Sequence, residues 1–429
     1  MRVELDSGIV ANFPRVSLSQ TRDGCHGISD DGLYSVKVQF GRFENKENDL
    51  EREVEIMRYL ESRGCVTCPE VLGYGEIDKE ALIETLEKNQ INLATEIEAD
   101  KFRYLVMPAY TALETIYTPD ISMAIIEQKK LGVWQGDISS DHILTDPRTS
   151  CIKLVDYDQA IYLTDEQRDM PNLEYFHFID EEQRERFKMY NVSGWMREFS
   201  NISWDTHFAH LFDGDSFDIG STHLFRSSET TLNESKIYHS FQTPDVHAKG
   251  ERSINERREL LDELDFDAGE TVLDIGCNAG LLCHYLNERG CQVWGIDIDP
   301  SIIEGARILA NILGKEGIEF ECLDIDNGGP LGYFDTVMLF SVIHHTRHIN
   351  RNAARIAKLC KRIIIEARLT ERGAKPVDGK WIQTTVWQHE DLDSLIRGLE
   401  ALFPGFSHHE TIGQGDRGRY VMEFRKNDA

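Results

Sequence analysis

Short apolar runs and amphipathic stretches alternate regularly along the C-terminal half of the chain. The segments 271–275, 292–297 and 318–322 are apolar enough to predict buried parallel strands. Helical patterns follow the first two, so the alternation predicts an open, doubly wound α/β sheet whose ligand lies beyond the carboxyl ends of its strands. The other predicted elements are helices over 281–289, 301–313, 352–360 and 391–402, strands over 334–341 and 362–367, and a closing hairpin around 410–412 and 420–424.

The N-terminal half has a different pattern. Alternation over 34–40 predicts a strand, and the spacing over 48–63 predicts an amphipathic helix. Glu53 lies beside the apolar stripe of that helix, and an inward carboxylate needs a cationic partner, for which Lys37 is the candidate. The pattern predicts an α+β domain over 1–225 and a second domain over 226–429, with an acidic, turn-rich seam at 212–222.

Composition narrows the class of protein. The 429 residues carry a formal net charge of −29, which repels polyanions, so DNA is not an expected partner. The longest apolar runs are far shorter than the roughly 20 residues that cross a bilayer, so no transmembrane segment is expected. Nine scattered cysteines, and a start without the features of a secretory signal, favour reduced thiols and a cytoplasmic location.

The predicted carboxyl ends of the C-terminal strands carry candidate binding residues. Gly276 and Gly280 flank a tight loop after the first strand and permit close approach of a ligand to the backbone. Asp297 ends the second strand, where a carboxylate accepts hydrogen bonds from both ribose hydroxyls. Asp324 follows the third strand and is placed to accept a hydrogen bond from an adenine amino group. These residues predict a site for an adenosine-containing cofactor, and the loop lacks the glycine spacing of pyrophosphate-binding sites.

The segments 272–280, 295–299 and 334–345 together resemble class I S-adenosylmethionine-dependent methyltransferases, which have a Rossmann-like α/β fold. The resemblance places His344 and His345 where the methyl acceptor meets the cofactor. A neutral imidazole there acts as a general base or hydrogen-bonds an acceptor oxygen; the alternative is a histidine that only shapes the pocket wall. The resemblance implies S-adenosylmethionine as the cofactor, held by Asp274, Gly276, Asn278, Gly280, Asp297 and Asp324.

Two further segments, 134–144 and 151–160, place the carboxylates of Asp137 and Asp156 on neighbouring loops of the N-terminal half. One carboxylate is suited to take a hydroxyl proton and the other to hold Mg²⁺. Together with the Lys-Glu pair, these segments resemble the catalytic and metal loops of small-molecule and atypical kinases, a two-lobed fold. The resemblance implies ATP as a ligand, positioned by Lys37 and Glu53, with Met107 beside adenine, Asp137 as the catalytic base, and Asp156 and His142 at the metal.

Two features depart from the kinase pattern. His142 stands five residues after Asp137, where kinases have a metal-binding Asn, and Mg²⁺ prefers oxygen ligands. The nearest candidate for a glycine-rich phosphate loop, at 23–27, has the character of an ordinary turn. A pseudokinase with a binding or regulatory role is therefore an alternative to an active kinase.

The segments 237–241, 252–257, 341–345 and 363–366 resemble the bifunctional kinase-methyltransferases that terminate bacterial polymannose O-antigen chains, with the two domains in reversed order. The resemblance implies that the kinase phosphorylates a sugar and that the methyltransferase esterifies the phosphate. It also places Tyr238, Arg252 and Arg257 near the methyltransferase pocket. The expected acceptor is a glycan or a small molecule, and a methyltransferase that acts on RNA is a further alternative.

Overall fold

The chain folds into two units in a computed structural model. Unit 1 comprises Met1–His223 and Pro244–Val246, and unit 2 comprises Leu224–Thr243 and His247–Ala429. The structure describes residues 1–18, 24–40, 50–91, 101–112, 118–138, 140–179, 212–220, 222, 238–250, 252–329, 331–369, 389, 391–415 and 418–427.

Unit 1 consists mainly of short antiparallel strands. Its largest sheet has five strands in the order β3-β4-β5-β7-β6, and smaller pairings join β1 to β2, β8 and β11 to β10, β9 to β12, and β13 to β14. In chain order the strands are β1 (Arg2–Glu4), β2 (Val10–Asn12), β3 (Arg15–Leu18), β4 (Gly24–Ile28), β5 (Tyr34–Gln39), β6 (Gly73–Asp78), β7 (Lys101–Pro108), β8 (Thr111–Ala112), β9 (Val133–Trp134), β10 (Ile143–Thr145), β11 (Ile152–Leu154), β12 (Ile161–Tyr162), β13 (Phe212–Asp213) and β14 (Ser216–Asp218).

Unit 1 also contains helices; besides residues 172–179, which are helical, four are labelled. The first buries an apolar face together with the carboxylate of Glu53, whose residue is 1% exposed. The sequence predicts a strand with Lys37 followed by a helix with Glu53. The structure has both, in β5 and in the next described element. The helices are α1 (Leu50–Ser62), α2 (Lys79–Lys88), α3 (Thr118–Lys130) and α4 (Asp165–Asp169).

The glycines at 24 and 27 do not form the turn that the sequence predicts. They lie in β4, in the middle of the five-stranded sheet, and Asp23 lies outside the described residues. A Cβ at Gly24 would stand 2.3 Å from the carbonyl oxygen of Val38, and one at Gly27 would stand 2.8 Å from that of Arg15. Neighbouring strands therefore approach too closely for a side chain, and the glycines serve sheet packing rather than a loop.

Unit 2 contains a seven-stranded sheet in the order β20-β19-β18-β21-β22-β24-β23. Its first five strands are parallel, and β24 runs antiparallel to both β22 and β23. The three strands predicted at 271–275, 292–297 and 318–322 are confirmed to the residue. The strands that follow β14 in chain order are β15 (His239–Gln242), β16 (Val246–Ala248), β17 (Arg252–Ser253), β18 (Thr271–Ile275), β19 (Gln292–Asp297), β20 (Ile318–Cys322), β21 (Thr336–Phe340), β22 (Arg362–Arg368), β23 (Phe406–Gly415) and β24 (Arg419–Lys426).

The helices of unit 2 connect the parallel strands, as the alternating pattern predicts. One of them begins at Ile349, three residues before its predicted start at Asn352. The cause is distant in sequence: the carboxylate of Asp326 accepts the amide hydrogens of Arg347 at 2.7 Å and His348 at 3.0 Å, which satisfies donors at the helix start. The helices are α5 (Asn255–Asp262), α6 (Leu281–Glu288), α7 (Pro300–Ile312), α8 (Ile349–Leu359) and α9 (Leu392–Leu402).

The core of unit 2 is apolar on both faces of the parallel strands, as expected for a sheet covered by helices. All five residues of β21 are buried, and Ile363, Ile364 and Ile365 of β22 are fully buried. Among the described helices, none combines the length and hydropathy that a bilayer span requires.

One buried histidine in this core has a measurable consequence. His284 on α6 is 5% exposed, packs near the ring of Phe320, and has no hydrogen-bond partner for either ring nitrogen among the described residues. Burial, together with the charge of Lys315, lowers its pKa to about 3. The unfolded chain therefore binds a proton at this position near pH 6.5, whereas the folded chain does not.

We predict that His284→Leu reduces the acid sensitivity of unit 2. Because the folded-state pKa is depressed, the stability that neutral His284 permits is complete above pH 6.5 and is lost as the pH falls toward 3. At pH 5 the wild type should lose about 2 kcal/mol of its free energy of unfolding through this histidine, and the variant should not. Urea unfolding at pH 7.5 and pH 5.0 measures the difference. His409→Leu, at an exposed position of β23, is the control and should behave as the wild type; an unchanged pH dependence for His284→Leu contradicts the prediction.

Candidate functional sites

The loop between β18 and α6 is shaped by two glycines with left-handed backbone angles. Gly276 has φ +75° and Gly280 has φ +72°. A Cβ at Gly276 would stand 2.7 Å from the side chain of Val342, and one at Gly280 would stand 2.4 Å from the ring of Phe320. Both positions therefore require glycine, for conformation and for space. The loop is held against the next strand because the amides of Gly276 and Cys277 both donate to the carbonyl oxygen of Ile296.

Asp297, at the carboxyl end of β19, joins this loop. Its Oδ2 accepts from the amide of Asn278 at 3.1 Å, and its Oδ1 accepts from the amide of Asp299 at 3.2 Å. Burial raises the pKa of the Asp297 carboxyl. Asn278 has φ +51°, so a non-glycine residue takes the left-handed conformation at the point where the loop meets the carboxylate. The structure thus brings together the loop residues and the acidic strand end that the sequence predicts.

The two other predicted acidic residues are arranged differently. Asp274 is buried within β18, where its Oδ2 accepts from the thiol of Cys283 at 3.4 Å, and burial raises its pKa to about 6. Asp324 follows β20 as predicted, and its Oδ1 accepts from the amide of Asp326 at 2.8 Å. Asp274 therefore contacts α6, the helix that follows the loop, through Cys283. Asp324 lies in a turn at the same end of the sheet.

The segment after β21 carries the predicted histidine pair. Ser341 has φ +60°, and a short 3-10 turn over Ile343–His345 follows it. The two imidazole rings lie 4.1 Å apart. The pKa of His344 is lowered to about 3, first by burial and then by the charges of His345, Arg419 and Arg368. His344 is therefore neutral at pH 7 and a weak base, which suits it to hydrogen bonding more than to proton removal.

A buried cluster surrounds Glu366, near the carboxyl end of β22, and it contains Arg257, which the resemblance placed near the methyltransferase pocket. Arg257 of α5 is 8% exposed and donates through Nε to Glu366 Oε1 at 3.0 Å and through Nη2 to Oε2 at 2.6 Å. Its Nη1 lies 3.0 Å from His239 Nε2. The hydroxyl of Ser341 donates to the same carboxylate, and Arg419 Nη1 lies 3.6 Å from it. We call Arg257, Glu366, His239, Ser341 and Arg419 the Glu366 cluster.

The Glu366 cluster has an excess of positive charge. Arg419 is 8% exposed, and its Nη1 has no hydrogen-bond partner among the described residues. The pKa of His239 is lowered to about 3, first by burial and then by the positive charges of Arg257, Arg252 and Arg419. The guanidinium of Arg252 stacks 4.7 Å over the ring of Tyr238. Two arginines, Arg257 and Arg419, therefore face a single carboxylate, and this end of the sheet is suited to hold an anion.

A second group of charges lies in unit 1, where Lys37 of β5 meets two carboxylates. Its Nζ lies 2.7 Å from Glu53 Oε2 and 2.5 Å from Asp156 Oδ1, so the predicted Lys37–Glu53 pair is confirmed. Glu53 Oε1 also accepts from the amide of Tyr157 at 3.2 Å. Burial opposes the charge on Lys37, but Asp156 and Glu53 outweigh it and raise its pKa well above the usual value.

Asp137, His142 and Asp156 also come together. His142 Nδ1 lies 2.7 Å from the carbonyl oxygen of Asp137, and its Nε2 lies 3.1 Å from Asp156 Oδ2. Burial works against protonation, yet these two aspartates raise the pKa of His142 to about 9. Burial and then the charge of Asp156 raise the pKa of Asp158, which the sequence analysis did not select, to about 7.

The predicted adenine contact, Met107, lies on β7 opposite Ser35 of β5, two positions along the strand from Lys37. Among the residues that the structure describes, no group of three or more His, Cys, Asp or Glu side chains is arranged to hold a metal ion. Both oxygens of Asp156 face a cationic side chain, Lys37 or His142.

Comparison with known proteins identifies the chemistry of unit 2. Residues 273–362 match the family model described as a methyltransferase domain. The ubiquinone biosynthesis O-methyltransferases of Bradyrhizobium sp. (strain ORS 278) and Rhodopseudomonas palustris (strain BisB5) are 35% and 36% identical over 94 residues, which is 22% of this chain and 37% of each relative. The chain thus spans a little over a third of the length of these curated relatives.

Solved structures with weaker similarity include the [4+2]-cyclase SpnF, at 16% identity and a TM-score of 0.34 over 41% of this chain and 81% of that one. The bifunctional kinase-methyltransferase WbdD matches at 24% identity and a TM-score of 0.35, over 46% of this chain and 45% of that one. The family match and the curated relatives show that the chain contains a methyltransferase domain with an α/β fold of the class I type.

Proposed function

We propose that unit 2 is an S-adenosylmethionine-dependent O-methyltransferase whose acceptor carries a phosphate or another anionic oxygen group. The observation that carries the proposal is the position of two features at one end of one sheet. The glycine loop follows β18 and Asp297 is the last residue of β19, while Glu366 lies near the carboxyl end of β22 and Ser341 directly follows β21. In an open parallel sheet, this end is where ligands bind.

The residues present fit the cofactor. Gly276 and Gly280 allow the loop to pack closely against Val342 and Phe320, and the loop amide of Asn278 donates to the carboxylate of Asp297. Asp297 would accept hydrogen bonds from the ribose hydroxyls, and Asp324 lies at the next strand end for the adenine. When bound, S-adenosylmethionine supplies an electrophilic methyl group.

The residues of the Glu366 cluster would bind and orient the acceptor. Arg419 offers its guanidinium group to an anionic oxygen, and the neutral imidazole of His344 offers a hydrogen bond. An acceptor that is already anionic has no proton to lose, which agrees with the weak basicity of His344. Placement of the acceptor oxygen and exclusion of water then carry the rate.

For unit 1, with a boundary near residue 225, we propose a kinase-like domain that binds ATP and phosphorylates a sugar or glycan hydroxyl, so that unit 2 methylates the resulting phosphate. Three contacts support this proposal: the Lys37–Glu53 pair, the approach of Lys37 to Asp156, and the position of Asp137 on the neighbouring loop. Lys37 would bind phosphate, and Asp137 would accept the hydroxyl proton.

The donor set of unit 1 does not fit Mg²⁺ in this arrangement, because Lys37 and His142 already face both oxygens of Asp156. We therefore assign no step to a metal. The same observation favours a second candidate function, in which unit 1 is a pseudokinase that binds a ligand or regulates the methyltransferase.

We predict that Asp297→Ala weakens S-adenosylmethionine binding by about 1–3 kcal/mol, or roughly five- to 150-fold, because charge-assisted hydrogen bonds to the ribose are lost. Isothermal titration calorimetry with S-adenosylmethionine measures the change. Glu319→Ala, at an exposed position of β20, is the matched control and should bind as the wild type. Equal affinities for all three proteins would show that the cofactor does not contact this strand end.

We predict that Arg419→Gln raises the KM for a phosphorylated acceptor by about ten- to a hundredfold, while the affinity for S-adenosylmethionine is unchanged. Mass spectrometry of sugar phosphates and their unphosphorylated parents, incubated with the cofactor, measures methyl transfer. Arg397→Gln, at an exposed position of α9, is the control. A preference for the unphosphorylated sugar, or an unchanged KM in Arg419→Gln, contradicts the anionic acceptor.

We predict that Lys37→Met abolishes ATP binding and that Asp137→Asn retains it but loses phosphate transfer. Fluorescence titration with a labelled ATP analogue and mass spectrometry of the acceptor separate the two effects. ATP binding without phosphate transfer by the wild type identifies unit 1 as a pseudokinase. If the wild type binds no nucleotide, the ATP-dependent kinase function of unit 1 is excluded.

A further inference from the structure

The segment between β21 and α8 is held near both of its ends by a carboxylate from elsewhere in unit 2. At its start, the hydroxyl of Ser341 donates to Glu366. At its end, the carboxylate of Asp326 accepts from the amides of Arg347 at 2.7 Å and His348 at 3.0 Å. The predicted histidine pair lies between these two attachments, so its position depends on both carboxylates.

The start of α8 relies on Asp326 because its own sequence supplies no cap. His348 precedes the helix, and its side chain makes no capping hydrogen bond. At α9, by contrast, the preceding Asp391 accepts from the amide of Ser394. Asp326 provides the acceptor for α8 from another part of the chain, and its Oδ1 also accepts from the buried Asn352 Nδ2 at 2.7 Å. Loss of this carboxylate would release the donors at the start of α8.

The same residue belongs to the turn that is expected to contact adenine. The amide of Asp326 donates to Asp324 Oδ1 at 2.8 Å, and the amide of Asn327 donates to the carbonyl oxygen of Asp324 at 3.1 Å. The carbonyl oxygen of Asp326 also accepts from the guanidinium of Arg351 on α8. The backbone and the side chain of Asp326 therefore both join the turn after β20 to the segment that follows β21.

We propose that Asp326 is a positioning residue, through which a cofactor bound at the adjacent turn fixes His344 and His345 for the acceptor. The inference rests on the proposed function of unit 2 and adds a connection between its two binding regions. A ligand that restrains the turn also restrains Asp326, and Asp326 restrains the two amides that follow the histidine pair. Ordering one region therefore lowers the entropic cost of ordering the other.

The test is nuclear magnetic resonance of the histidine ring signals in the full chain, titrated with S-adenosylhomocysteine. His344→Gln and His345→Gln assign the two signals of interest. In the wild type, both signals should shift as the ligand saturates the protein. In Asp326→Ala they should no longer respond. The calorimetric affinity for S-adenosylhomocysteine should stay within about threefold of the wild type, because Asp324 and the backbone of the turn remain.

Two further variants separate positioning from a loss of helix stability. Asp326→Asn keeps one side-chain oxygen for the amides of α8, and asparagine replaces aspartate well at helix starts, so this variant should recover most of the response. Asp391→Ala removes the capping carboxylate of α9 and is the matched control. It should lose stability in urea, yet its histidine signals should respond as in the wild type.

A response in Asp326→Ala as large as in the wild type would overturn the inference, as would an equal loss of response in Asp391→Ala. A wild type that binds S-adenosylhomocysteine without any shift of the two signals would overturn it as well. If circular dichroism shows that Asp326→Ala does not fold, Asn352→Ala removes a donor to the same carboxylate and should reduce the response. No heat of binding with the wild type would instead refute the proposed function, and this inference with it.

Discussion

The carboxyl end of the unit 2 sheet depends on one buried carboxylate. Glu366 is 1% exposed; it accepts hydrogen bonds from Nε and Nη2 of Arg257 and from the Ser341 hydroxyl, and Arg419 Nη1 lies 3.6 Å from it. A buried carboxylate is tolerated only with such partners. Through these contacts it joins α5, β21, β22 and β24, and it fixes the arginines from which an acceptor site is built. Loss of this carboxylate would leave the arginines both unpaired and unaligned.

The two units use different arrangements of charge at the sites proposed to hold anionic ligands. The chain carries a net charge of −29, yet both proposed sites must hold anionic ligands. Unit 2 does so with an excess of arginines around Glu366. Unit 1 has an excess of carboxylates instead, and it places Lys37 and His142 among them. Local arrangement, rather than overall charge, therefore determines which ligands each unit can accept.

The sequence predicts those features of the fold that depend on local pattern. The strands at 271–275, 292–297 and 318–322 are found to the residue because buried parallel strands are short, continuous apolar runs bounded by turns. The partner of Glu53 is predictable as well, since a charge on an apolar helix face requires a cation. Features that depend on distant contacts are not predictable in this way. Asp326 moves the start of α8, and the Arg257–Glu366 pair joins residues 109 positions apart. The glycines of β4 resemble a turn in sequence, yet neighbouring strands determine their conformation.

In the proposed arrangement, the loop 276–280 and Asp297 hold the adenosine part of S-adenosylmethionine, with the Glu366 cluster at the acceptor side. A crystal structure of the chain with S-adenosylhomocysteine and inorganic phosphate tests it most directly. We expect ribose hydroxyls within hydrogen-bond distance of Asp297 and phosphate on the guanidinium of Arg419. Adenosine bound away from the carboxyl end of β19, or phosphate bound away from the Glu366 cluster, would contradict it.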